Sequence, residues 1–161
     1  MRSFVAMELG VSIENINCYV MGGHGDTMVP LTRLSNVAGV PLRDTMPAEK
    51  LNSIVERTRN GGGEIVSLLK SGSAYYAPAA AVAQMVEAIL KDKQLIVPAA
   101  AFMQGEYGLK DIFFGVPVQL GRNGIEKIIE YDLNSEEKDA LLRSAAAVKE
   151  TTAALESLNL I

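Results

Sequence analysis

The sequence contains no tryptophan, one cysteine and one histidine. The single cysteine, Cys18, cannot form an internal disulfide, which is typical of proteins kept in a reducing cytoplasm. A single histidine, His24, without paired cysteines offers too few ligands to indicate a zinc site. The longest apolar run, residues 95–103, contains Pro98 and is too short to cross a bilayer, so it favours a buried strand.

The chain also lacks an excess of basic residues. Its 15 lysines and arginines are outnumbered by 19 aspartates and glutamates, which leaves a formal net charge of -4. There is no basic footprint for nucleic acid and no polybasic cluster for an anionic membrane. The first nine residues do not form a signal peptide because Glu8 interrupts their apolar stretch. We therefore expect a globular cytoplasmic protein with neither nucleic-acid nor membrane partners.

Three motifs of common enzyme classes are missing. No G-x-G-x-x-G follows a strand pattern, and no G-x-S-x-G indicates a serine hydrolase. The glycines at 61–63 lie between helical patterns, and Glu64 beside them would repel a pyrophosphate. We therefore interpret these glycines as a break in a helix rather than a phosphate-binding loop.

The remaining pattern predicts an α+β fold in a single domain, residues 1–161. A helix that begins at residue 2, with no approach loop, suggests that the chain starts inside a larger protein. The three closely spaced strand patterns in the second half favour an antiparallel meander, followed by a long closing helix. We predict helices at residues 2–9, 48–60, 64–70, 78–91 and from 134 onward, and extended segments at residues 17–21, 28–37, 95–103, 111–120 and 124–131.

His24 is the clearest candidate for chemistry. It lies between Gly23 and Gly25 at the end of a predicted strand, where glycines allow a sharp bend and leave the imidazole accessible. An accessible imidazole can transfer protons near neutral pH, although a structural or surface role is the alternative at this point. Asp26 favours a turn-holding role, because its spacing does not establish a hydrogen bond to His24. A metal-dependent enzyme built on His24 and Asp26 would lack ligands.

Several segments carry one shared resemblance, and they are residues 20–30 (VMGGHGDTMVP), 2–4 (RSF), 8–11 (ELGV), 71–79 (SGSAYYAPA), 115–118 (GVPV) and Gly121. Together they resemble the lactate/malate dehydrogenase family. Residues 20–30 are similar to its active-site strand and loop, and their end at residues 27–30 resembles bacterial, lactate-dehydrogenase-like malate dehydrogenases in particular. The other segments are similar to the preceding helix, a pocket-wall helix and the meander.

The resemblance implies the family's C-terminal substrate and catalytic domain. His24 would then exchange the proton during reversible oxidation of malate to oxaloacetate with NAD, and Ala74 and Pro78 would wall the substrate pocket. The resemblance also implies that the NAD-binding N-terminal domain, the substrate-selecting loop, the aspartate that orients the histidine and the arginine that grips the carboxylate are absent. Arg2 does not take that last role.

These absences imply that the isolated chain binds NAD poorly and turns over negligibly, because hydride transfer needs donor, acceptor and proton-transfer groups held together. The expected partners are the N-terminal domain, a small 2-hydroxy acid and further copies of the chain. The alternative is a non-catalytic folded or oligomerisation domain, in which replacing His24 would affect stability alone.

Overall fold

A computed structural model describes residues 1–157 of the chain. No helix in this range is both long enough and apolar enough to cross a membrane. In chain order the helices and strands are α1 (Arg2–Leu9), β1 (Ile16–Asn17), β2 (Val20–Met21), β3 (Val29–Pro30), β4 (Asn36–Val37), β5 (Val40–Pro41), α2 (Ala48–Arg59), α3 (Gly61–Leu69), α4 (Tyr76–Leu90), β6 (Leu95–Gln104), β7 (Lys110–Gly121), β8 (Gly124–Ile128) and α5 (Ser135–Ser157).

The chain divides into two compact units. The first contains Met1–Val20 and Pro30–Gly72, and the second contains Met21–Val29 and the residues from Ser73 onward. The chain therefore passes into the second unit within β2 and returns within β3, which pair as a two-stranded sheet. The expectation that residues 1–161 form a single domain stays a prediction.

The first unit is organised around one apolar cluster. Helix α1 ends at Gly10, whose φ of 65° provides the left-handed turn expected there. Burial against this cluster raises the pKa of the Cys18 thiol, because the thiolate would be poorly solvated. The buried members of the cluster are Val5, Ile16, Leu42, Leu51 and Ile54.

Three features differ from the sequence prediction. The extended segment predicted at residues 17–21 is divided between β1, which ends at Asn17, and β2, with residues 18–19 outside any strand. The extended segment predicted at residues 28–37 is two short strands, β3 and β4, separated by a turn. The helix break falls at Asn60, and the glycines at 61–63 form the first turn of α3 instead of interrupting it. The Asn60 side chain donates to the carbonyl of Glu56 at 3.0 Å, which ends α2 before α3 begins.

The second unit contains the predicted antiparallel meander, in the order β6-β7-β8. Strand β6 pairs with β7 from Leu95 opposite Leu120 to Gln104 opposite Lys110, with an irregularity after Phe102. One face of β7 supplies the core, where Phe114, Val116 and Val118 are all buried. The predicted strands and their antiparallel arrangement are confirmed.

The long closing helix α5 is also confirmed. It begins with a capping box, in which the Glu137 amide donates to Asn134 Oδ1 and the Asn134 amide donates to Glu137 Oε2, both at 2.9 Å. Its buried face carries Leu141, Ser144 and Ala145. The α+β class predicted from the sequence therefore holds for the described residues.

Candidate functional site

The loop that carries His24 follows β2 and is tied to the meander. The Gly22 amide donates to the Gly115 carbonyl of β7 at 2.8 Å, and these residues form an isolated antiparallel bridge. Farther along, the Met28 amide donates to the Gly25 carbonyl at 3.1 Å, which closes a turn. The backbone is thus hydrogen-bonded on both sides of His24, as the strand-and-bend pattern of the sequence predicts.

The glycines beside His24 serve different physical purposes. Gly25 has a φ of 141° with open space around it, so its conformation alone favours glycine. Gly23 has an ordinary φ, but a Cβ there would lie 3.0 Å from Val148 Cγ2 and 3.2 Å from Thr27 Oγ1. Close packing therefore favours glycine at position 23, whereas the sequence interpretation considered the bend alone.

Helix α5 supports this loop through one side chain. Ser144 is only 1% exposed, and its Oγ accepts the Gly23 amide at 2.8 Å. The same hydroxyl donates to Thr27 Oγ1 at 3.3 Å. A single buried hydroxyl thus contacts the residue before His24 and a residue three positions after it.

The imidazole of His24 is exposed, and within residues 1–157 it makes no hydrogen bond or ion pair. Asp26 is exposed as well, and over the same range no hydrogen bond joins it to His24. Both ring nitrogens are consequently available to a molecule outside the chain. An available imidazole on an anchored loop can act as a general acid or a general base toward such a molecule.

The residues that the resemblance assigned to the pocket wall lie in the same unit as His24. Ala74 is partly buried just before α4, and Pro78 is exposed in the first turn of that helix. Pro78 is tolerated there because the first turn of a helix does not use its amide. The assignment of His24, Ala74 and Pro78 to one active site stays a prediction.

His24 does not line either of two surface cavities, of about 170 and 460 Å³, formed by described residues. The larger one is bordered by Glu130 and Asp132, whose carboxylates would oppose a pyrophosphate. Within residues 1–157 there is also no group of three or more His, Cys, Asp or Glu side chains able to hold a metal ion.

Sequence reasoning missed Ser144 and the contact role of Thr27. The available signal was a polar residue on the apolar face of α5, where Leu141, Ala145 and Val148 mark the stripe. A serine at that position must find a partner once it is buried. The sequence does not indicate that the partner lies 121 positions away in the His24 loop.

The chain is similar to known proteins over almost its whole length. A family model described as lactate/malate dehydrogenase, alpha/beta C-terminal domain, matches residues 1–158. A malate dehydrogenase of Roseiflexus sp. (strain RS-1) is 54% identical over 98% of the chain and 51% of its own length. The chain therefore spans about half the length of the curated relatives it matches.

Solved structures agree with the sequence relatives. The malate dehydrogenase of Salinibacter ruber has a TM-score of 0.95 and 51% identity, over 98% of this chain and 52% of its own. The lactate dehydrogenase of Eimeria maxima, solved with NADH and oxamate, has a TM-score of 0.94 and 38% identity, over 99% of this chain and 51% of its own.

Proposed function

The chain belongs to the lactate/malate dehydrogenase family, whose C-terminal domain it matches over residues 1–158, and on this premise we propose that it is the proton-transfer half of a malate dehydrogenase. In the whole enzyme the reaction is the reversible oxidation of malate to oxaloacetate with NAD, in the cytoplasm. The observation that carries the proposal is the exposed imidazole of His24, which makes no hydrogen bond within residues 1–157 and lies on a loop anchored from both sides.

The role of His24 is general acid and base. A neutral ring nitrogen accepts the proton of the malate hydroxyl during oxidation, and the imidazolium returns it to the carbonyl oxygen in the reverse direction. We assign NAD binding to a separate N-terminal domain, which supplies the hydride acceptor when the cofactor is bound. Ala74 and Pro78 border the substrate in this proposal.

Exposed apolar side chains support the proposed protein partners. On α4, only Ala88 is buried, whereas Tyr76 is 79% exposed, Val82 60% and Leu90 77%. An apolar helix face of this kind is costly to leave in water and is typical of a protein interface. We assign such surfaces to the N-terminal domain and to further copies of the chain.

The test is a chimera in which the N-terminal half of the Salinibacter ruber malate dehydrogenase precedes this chain. We expect the chimera to reduce NAD when malate is supplied, and the 161-residue chain alone to show no turnover. His24→Asn should lower kcat by about 100- to 10,000-fold, because asparagine cannot accept the proton.

The same variant separates this proposal from a purely structural role. Because His24 is exposed and makes no hydrogen bond among the described residues, His24→Asn should change the free energy of unfolding by less than about 0.5 kcal/mol. Urea denaturation of the 161-residue chain measures this change. A folded chimera without activity, or one whose activity survives His24→Asn, would refute the proposal, and an effect on stability alone would favour the non-catalytic domain.

A further inference from the structure

We propose that Ser144 is a positioning residue: its buried hydroxyl on α5 holds the His24 loop in the geometry that proton transfer requires. The inference deepens the proposed function and rests on it for its catalytic consequence. The anchoring of the loop can be measured without any activity.

The hydrogen bonds carry the first step of the argument. The two amides before His24 are held by different elements, the Gly22 amide by the Gly115 carbonyl of β7 and the Gly23 amide by Ser144 Oγ of α5, each at 2.8 Å. Thr27 Oγ1, after His24, lies 3.3 Å from the same Ser144 hydroxyl. The backbone that carries the imidazole is therefore fixed from both directions, and Ser144 takes part in both.

The loop and α5 also pack closely against each other. A Cβ at Gly22 would lie 2.7 Å from Ser144 Oγ, and one at Gly23 would lie 3.0 Å from Val148 Cγ2. A side chain at Gly22 would therefore displace Ser144 Oγ, and one at Gly23 would require Val148 to shift slightly. The loop is thus packed closely against α5 at the positions where Ser144 binds it.

The hydrogen bonds of Ser144 are directed away from its own helix. A serine inside a helix commonly donates to the carbonyl one turn earlier in that helix, so its hydroxyl needs no partner from another element. Thr151 and Thr152 do this on the same helix, donating to Ala147 and Val148 at 3.1 Å. Ser144 directs its hydroxyl to the loop instead, so its partners are the residues around His24 and not the helix backbone.

Ser35 provides a matched control. It is also 1% exposed, and its Oγ likewise accepts a backbone amide, that of Tyr19 at 3.2 Å, while donating to the Leu31 carbonyl. Ser35→Ala and Ser144→Ala therefore each remove one buried hydroxyl that accepts an amide. They differ in whether that amide adjoins the only histidine of the chain.

The first measurement uses nuclear magnetic resonance on the 161-residue chain. In Ser144→Ala we expect the Gly23 amide to exchange about 2- to 10-fold faster, since its acceptor is lost, and the ring-proton resonances of the single imidazole to change chemical shift. Ser35→Ala should leave both readouts unchanged. Thr27→Val, an isosteric change at an exposed position, removes the acceptor of the Ser144 hydroxyl and should change the same imidazole resonances by less. This variant replaces Ser144→Ala in the test if Ser144→Ala does not fold.

The second measurement uses the chimera. Ser144→Ala should lower kcat by at least about 10-fold with little change in KM, because misplacing a reacting group by about 1 Å can cost about 100-fold. Ser35→Ala should leave kcat within twofold. The inference is overturned if both serine variants have equal effects, or if the Gly23 exchange and the imidazole ring-proton resonances in Ser144→Ala match those of the unmodified chain. An inactive unmodified chimera would refute the proposed function. The nuclear magnetic resonance measurement would still show whether Ser144 anchors the His24 loop.

Discussion

Replacing Gly115 with alanine should destabilise the second unit and displace the His24 loop. A Cβ at Gly115 would lie 2.4 Å from the Gly22 carbonyl oxygen, whereas real Cβ contacts stay above 3.0 Å. Strand β7 and the backbone at Gly22 must move apart by roughly the difference between these two distances. The obstructing atom belongs to the backbone, so it cannot move away by a side-chain rotation. Overpacking of this kind costs about 1–3 kcal/mol, and weakening the Gly22 to Gly115 hydrogen bond adds about 0.5–1.5 kcal/mol.

We therefore expect Gly115→Ala to lower the free energy of unfolding by about 1.5–4.5 kcal/mol, as measured by urea denaturation of the 161-residue chain. Gly63→Ala is the control, because it makes the same chemical change where nothing lies within 4 Å and the backbone is already helical. It should be stabilising by up to about 1 kcal/mol. The reasoning is refuted if Gly115→Ala costs less than about 0.5 kcal/mol, or if both variants shift stability in the same direction.

Two further predictions concern the second unit. Glu87 contacts Lys91 at 2.7 Å and Lys93 at 2.8 Å, which lowers its pKa from 4.5 to about 2. The contribution of Glu87 to stability should thus be complete above pH 4.5 and disappear as the pH falls toward 2. In the Lys91→Gln, Lys93→Gln double variant, the pKa of the Glu87 carboxyl, measured by nuclear magnetic resonance, should return toward 4.5. Tyr107→Phe should cost about 1–3 kcal/mol in urea denaturation, because the hydroxyl that donates to the Ile129 carbonyl and accepts the Tyr131 amide is lost, and a cost near zero would contradict these bonds.

Much of the fold could be predicted because its determinants are local. Helix α5 is indicated by the capping pattern at Asn134 and Glu137, and the meander by strand patterns separated by glycine turns such as the one ending at Gly124. The glycine pattern predicts the break between α2 and α3 one position too late. The helix ends at Asn60 because its side chain binds the Glu56 carbonyl, which glycine-based reasoning does not consider.

The candidate histidine was also accessible to sequence reasoning. His24 is the only histidine, and its glycine neighbours indicate a bend whatever the rest of the chain does. Family membership followed from motifs spread along the chain and is confirmed by the match over residues 1–158. These features depend on residue identity and short spacing, which a sequence displays directly.

Tertiary structure alone decided which residues hold that histidine in place. Gly115 and Ser144 are far from His24 along the chain, and their importance arises from a backbone contact and a buried hydroxyl in the folded second unit. The spacing of residues in the sequence does not show which distant residues come into contact, because these contacts depend on how β7 and α5 pack against the His24 loop. The sequence by itself is sufficient to propose His24 as the candidate histidine, whereas the residues that hold its loop are decided by the packing of β7 and α5.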